Sequence, residues 1–368
     1  ITIKGAPDLS KIRFYMLGIK NPLQSRDSGN IVDNGNEISG EFWFNELRVT
    51  HFENKSRWAA MGQLHVKLAD LANISLSGTK MSAGFGDISQ RISEQNRTER
   101  LSLDFMANAE LGKFIDPKHA ISIPLYFNFS KQIGTPEYNP FQGDILLKET
   151  LKDLSEYGKD SLMQIIQDYT LRKNFSIVNA RKIFRSTEKQ LKPWNIENFA
   201  LSYIYNEYEH RDLYTSNSMQ KNYRGSLDYT FNNPSVTFRE PFKKSNLLKF
   251  LNYNLMPSLL SFRMEVNRIY QENTFRDNAS NNVLPTYYNK NFNTNRIYGI
   301  SWDLTKSLRV DFNATNYAII DEPNGRIDGA RKDTLWNNFW RMGRNMDYNH
   351  MLNFTYTLPL NKIPYLEW

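Results

Sequence analysis

The chain has no cysteine. That removes disulfide frameworks, thiolate metal sites and cysteine nucleophiles together. It also has no run of about 18 apolar residues, so no helix of it is expected to cross a membrane. Histidine is scarce, with His51, His65, His119, His210 and His350 scattered along the sequence. None pairs at the i, i+4 spacing that sets two imidazoles on one helix face for a metal ion. Gly84-Phe85-Gly86 lacks the third glycine and the Lys-Ser/Thr of a phosphate loop, and reads as a tight loop after a strand from Leu71 to Gly78. No Gly-x-Ser-x-Gly elbow occurs. Ile1 to Ser10 carry no basic stretch followed by an apolar one, so no signal peptide is visible. With no catalytic motif, cofactor fingerprint or metal constellation, the expectation is a protein that is not an enzyme and takes no cofactor.

What the chain has is aromatic residues and alternation. Phe, Tyr and Trp make up 14% of it, and such residues suit pleated strands and membrane-interface belts. Leu101, Leu103 and Phe105 alternate with Ser102 and Asp104. Phe199, Leu201, Tyr203 and Tyr205 follow the same rule, as do Leu227, Tyr229 and Phe231. Phe262, Met264 and Val266 face away from Arg263, Glu265 and Asn267. Val310 and Phe312 face away from Asp311 and Asn313, and Leu352, Phe354 and Tyr356 from Asn353 and Thr355. Successive side chains on a strand point to opposite faces, so each segment has one apolar and one polar face. A soluble sandwich shares this pattern. Several segments, however, reach the roughly 9–11 residues that a tilted membrane-spanning strand needs. The mean hydropathy of −0.60 fits either reading, because only alternate residues of a barrel strand meet lipid. Barrel is preferred to sandwich, and since a barrel must be exported, that reading implies a longer parent chain.

Two regions break the alternation. From Asp144 to Arg172 apolar residues recur at three- and four-residue steps, which predicts a helical insertion with Gly158 separating two pieces. A shorter helix is predicted from Arg331 to Met342, after the Asn324-Gly325 turn signal. Residues 1–53 differ again. Phe14 to Ile19 and Glu41 to Val49 read as two strands around a polar loop, resembling the end of a jelly-roll-like domain; residues 54–368 carry the barrel pattern.

Two further signals are weaker. Glu207, Glu209, His210 and Asp212 suggest a cation site, but a solvated strand end is the preferred reading. Arg263, Arg268, Tyr270 and Arg276 interleave base and ring as a nucleic-acid groove would. A strand wall explains the intervening apolar row better. The net charge of +7 comes from Lys and Arg dispersed along the chain, as on solvated polar faces.

Several phrases resemble, in collinear order, the SprA/Sov family of gliding-motility cell-surface proteins, the outer-membrane translocon of type 9 secretion. They include GEFWFNELRVTHF from Gly40 to Phe52 and WAAMGQLHVKLADLANISLSGTKMSAGFG from Trp58 to Gly86. ELGKFIDPKHAISIPLY from Glu110 to Tyr126 and TPEYNPFQGDILLKETLKDL from Thr135 to Leu154 follow. QDYTLRK from Gln167 to Lys173, YRGSLDYTF from Tyr223 to Phe231, DEPNG from Asp321 to Gly325, NFWRMGRN from Asn338 to Asn345 and YTLPLNKIPYLEW from Tyr356 to Trp368 complete the set. The resemblance implies an all-β fold: an internal section of a very large antiparallel transmembrane β-barrel, of the kind that reaches about 36 strands, with a helical insertion. It implies a protein-conducting outer-membrane pore through which folded cargo with C-terminal signal domains reaches the cell surface. The lipid bilayer, a porin-like shuttle protein and a plug protein would be its partners, and nucleic acid would not. On this reading Arg263, Glu265, Asn267, Asp311 and Asn313 are candidate lumen-facing residues, and Phe262, Met264, Val266, Val310 and Phe312 are candidate lipid-facing residues. The alternative is a soluble β-rich module that binds carbohydrate or protein. It predicts purification from the aqueous fraction, where the pore predicts a need for detergent.

Overall fold

A computed structural model of the chain describes residues 39–43, 56–87, 95–183, 192–233, 237–241, 252–277 and 284–358. The described strands are β1 (Ala59–Leu68), β2 (Ala72–Met81), β3 (Thr98–Glu110), β4 (Ile121–Ser122), β5 (Pro124–Pro136), β6 (Tyr138–Asn139), β7 (Gln142–Leu146), β8 (Asp168–Lys182), β9 (Phe199–Arg211), β10 (Thr215–Asn232), β11 (Leu259–Phe275), β12 (Tyr287–Asp303), β13 (Leu308–Ile319) and β14 (Arg344–Tyr356). Three helices join them: α1 (Leu147–Lys152), α2 (Glu156–Ile166) and α3 (Ala330–Trp340).

The strands build one antiparallel sheet in the order β1-β2-β3-β5-β8-β9-β10-β11-β12-β13-β14, with β4 also pairing β8 and a small β6–β7 hairpin apart. The long strands thus pair in chain order, a meander that satisfies backbone groups between neighbours, with the β6–β7 hairpin and the helices carried on the connections. The all-β expectation holds. The long strands run from 10 residues in β1 to 18 in β10, well beyond the five or six usual in soluble domains. Among the described residues no helix is long and apolar enough to cross a membrane.

Local chemistry fixes the irregular points. Val178 and Asn179 make a bulge where the β8–β9 register slips between Ile177 and Ala180. Asn179 takes a left-handed conformation (φ 60°) and its N–H donates to Ser202 Oγ at 2.9 Å, so the extra residue twists the strand without orphaning that donor. Gly343, just before β14, has φ +71°, and a Cβ there would lie 2.6 Å from the Ile319 carbonyl oxygen. Only glycine fits that turn.

Three sequence expectations change. The helical insertion occupies Leu147–Ile166, and β8 already begins at Asp168. Its two pieces are separated by residues 153–155. Gly158 lies in the first turn of α2, where its N–H donates to the capping Ser155 Oγ at 3.2 Å. The late helix runs Ala330–Trp340, shifted slightly from Arg331–Met342. The strand before Gly84 is Ala72–Met81, and Gly84 takes φ +77° in the loop that follows. Of the jelly-roll-like pair, Phe14 to Ile19 and residues 44–49 lie outside the described residues.

Candidate functional site: two unlike faces and a helix clamp

Register carries each strand's alternation across the whole sheet. Phe262 of β11 stands opposite Tyr229 of β10 and Tyr298 of β12, and Tyr298 opposite Ala314 of β13. Leu227 stands between Leu201 and Met264. The apolar row of one strand thus continues the row of the next. Aromatic pairs bridge strands on this face, among them Phe105–Phe127, Phe175–Tyr203, Tyr205–Tyr223, Phe199–Tyr229 and Phe262–Tyr298, with centroids 5.0–6.1 Å apart. Such cross-strand pairs hold register as well as adding packing.

Most of this apolar face has no cover. Leu201 is 56% exposed, and Leu76, Tyr203, Leu227, Ile300 and Leu352 are also exposed. A contiguous apolar surface of this extent marks a contact with lipid or another protein. It stops at a row in which Lys173, Glu207 and Lys221 lie directly opposite one another with alternating sign. Immediately inside that row stand Phe175, Tyr205 and Tyr223. At the other end Tyr229 donates its hydroxyl to the Pro193 carbonyl at 2.8 Å, and Trp302 Nε1 donates to the Asn254 carbonyl at 3.0 Å. Aromatics with a polar tip therefore edge the apolar rows at both ends.

The opposite face is polar and rich in amides. Asn128, Asn174, Asn206 and Asn222 form four successive rungs across β5, β8, β9 and β10. Asn174 Nδ2 donates to Asn128 Oδ1 at 3.0 Å, and Gln220 Nε2 to Asn222 Oδ1 at 3.3 Å. Charges here are largely paired within the sheet. Arg263 bonds Asp228, Arg224 Nε donates to Asn267 Oδ1 at 2.8 Å, and Asp311 accepts from Ser301 Oγ at 2.6 Å and Arg309 Nε at 3.1 Å.

The predicted residues sort cleanly by face. Arg263, Glu265, Asn267, Asp311 and Asn313 share the polar face; Phe262, Met264, Val266, Val310 and Phe312 share the apolar one. Val266 is half-buried rather than open. It packs on a small core formed by Phe292, Ile320 and Leu335, together with Ile327 and Phe339. Helix α3 brings Leu335 and Phe339 down onto the sheet, where Phe339 stacks on Phe292 at 6.0 Å and 8°. Alternation within a strand could not reveal a helix arriving from 60 or more residues away.

Four contacts hold α3 and its lead-in loop. Arg268 donates through Nε and Nη2 to the two Glu322 oxygens, each at 2.8 Å. Lys290 Nζ donates to the Pro323 carbonyl at 2.7 Å and to that of Gly325. Asn338 Nδ2 donates to the Asp321 carbonyl at 2.8 Å. Arg268 also lies over the rings of Tyr223, Tyr270 and Phe292 at 5.5–5.9 Å. A second clamp, missed in the sequence, is Arg276. Its Nη1 donates to the carbonyls of Ile165 at 3.0 Å and Asp212 at 2.6 Å, tying the C-terminal end of α2 to the β9–β10 turn.

The weaker sequence signals dissolve. His210 points to the face opposite Glu207 and Glu209. Glu207 accepts from the Tyr205 hydroxyl at 2.6 Å. Asp212 accepts from the N–H groups of Tyr214 and Thr215 at 2.9 and 2.6 Å. Burial pushes the Asp212 carboxyl up, but those backbone donors outweigh it and hold the group below its usual range. No group of three potential metal ligands occurs among the described residues. Arg263 lies on the face opposite Arg268 and Tyr270, so the proposed nucleic-acid row is split in two.

Fold and faces define an all-β protein: a long-stranded antiparallel meander with one apolar and one polar amide-rich surface. The sequence model of one family, SprA_N, described as a motility related/secretion protein, matches residues 1–151. Residues 1–151 are therefore similar to a family tied to motility and secretion, in line with the SprA/Sov resemblance carried by the sequence phrases. No curated protein matches the chain.

Proposed function

We propose that this chain forms part of the wall of a protein-conducting pore in the bacterial outer membrane. Folded cargo with C-terminal signal domains would cross there to the surface, including the adhesins used in gliding. The chief support is the pair of unlike faces on one sheet. An apolar face without a second layer over it suits lipid, and its backbone groups are satisfied between strands, as hydrocarbon requires. The polar face suits a wet lumen. Its amides and internally paired charges offer passing proteins few unpartnered groups to stick to. The role is that of a conduit rather than a catalyst, with a porin-like shuttle and a plug protein as partners.

Fractionation of the natural full-length protein, with a secretion assay on a strain lacking it, tests this. Outer-membrane location with cargo trapped in the periplasm supports the pore. An aqueous location with normal secretion sinks it and returns the chain to the soluble binding-module class.

A further inference from the structure

A cavity of about 770 Å³ lies between α3 and the sheet. Its apolar lining includes Tyr203, Tyr223, Val266 and Trp336. Four cations line it, Lys221, Arg268, Arg326 and Lys332, and no carboxylate does. Glu322 neutralises Arg268, and Glu272 stands 3.9 Å from Arg326. Lys221 feels Glu207, but that carboxylate already holds the Tyr205 hydroxyl and Lys173. The cavity therefore keeps an excess of positive charge, centred on Lys221 and Lys332.

From Tyr203 and Val266 the lining continues into the open apolar rows at Leu201 and Met264. A free phosphate would use the cations and leave this apolar surface in water. A peptide strand would find no edge, since β11 is paired on both sides along its length. We infer that the groove under α3 binds a phosphate-bearing lipid. Its headgroup sits at Lys221 and Lys332, and its acyl chain runs past Trp336 onto the apolar face. This rests on the apolar face being the membrane face. The acyl chain would gain apolar burial and the anionic headgroup would gain the attraction of nearby lysines.

The test is native mass spectrometry of the full-length protein in mild detergent, titrated with phosphatidylglycerol. Parallel titrations use diacylglycerol and inorganic phosphate. Four proteins are compared: wild type, Lys221→Ala/Lys332→Ala, Trp336→Ala and a distant control, Lys306→Ala. The expected result is one phosphatidylglycerol held through detergent removal by wild type and Lys306→Ala, with affinity about tenfold or more weaker in the double variant and weaker in Trp336→Ala. Diacylglycerol should bind poorly. Equal retention by all four proteins, while the protein still needs detergent, overturns the lipid site and leaves the pore standing. Inorganic phosphate binding as well as the lipid does, or a cargo peptide binding where phosphatidylglycerol does not, also overturns it. A protein that stays in the aqueous fraction and takes up no lipid overturns both readings.

Discussion

Arg268 and Glu322, 54 residues apart, meet as a fork-to-fork pair with both N···O distances at 2.8 Å. The Glu322 side chain is only 4% exposed and that of Arg268 16%. Arg268 belongs to β11, while Glu322 belongs to the loop that leads into α3. The pair thus fixes where the helix lands on the sheet.

Glu322→Ala should strand the Arg268 charge among the rings of Tyr223, Tyr270 and Phe292. Breaking a buried pair in this way costs about 3–5 kcal/mol. Limited proteolysis should cut residues 321–329 faster in the variant, and its melting temperature should fall. Arg268→Met/Glu322→Ala should recover much of the loss, because no charge is left unpaired. Equal damage in the single and double variants would mean that the pair does not anchor α3.

Ala200 and Leu201 are adjacent on β9 and point to opposite faces. If the apolar face meets lipid, Leu201→Arg should destabilise the protein by about 2–4 kcal/mol near the bilayer midplane, whereas Ala200→Arg should change little. Urea unfolding in lipid vesicles reads the difference. Similar values for both would argue against a lipid-facing role for this surface.

The insertion can be removed without touching the sheet only within Leu147–Ile166, since β8 starts at Asp168. Replacing that segment by a short linker should leave membrane assembly intact and impair secretion. Arg276→Ala, which frees the α2 carbonyls, should reproduce part of the defect. Normal export in both strains would show that the insertion has no part in transport.

Gly343→Ala should destabilise by more than about 1 kcal/mol, because φ is +71° and the Ile319 carbonyl stands where the methyl would go. Gly62→Ala on β1, where a Cβ meets nothing within 4 Å, serves as the tolerant control. Thermal melts of the two variants should differ clearly.

Much of the architecture was legible because a strand's period is two. The alternation at Phe262 to Asn267 and at Val310 to Asn313 already separated these ten residues into the two faces that the register lines up. Helical periodicity likewise exposed the insertion and α3. Boundaries were less secure. Tyr169 extended the apparent helical pattern because it follows Ile166 and Ile165 at three- and four-residue steps, and only its pairing with Ile133 and Arg211 shows that it is strand.

By itself the sequence determined the class of fold, the faces of each strand and the absence of catalytic motifs, since all three depend on residue type and short-range spacing. Tertiary structure decided what lies across from what. Register lined up Asn128, Asn174, Asn206 and Asn222 into one amide ladder. It also set Lys173, Glu207 and Lys221 as a charged border to the apolar rows. A loop returning from β13 carried Glu322 to Arg268 and laid α3 over Val266. Those partners are separated by dozens of residues, and pairing between such distant positions leaves no periodic trace in a single chain.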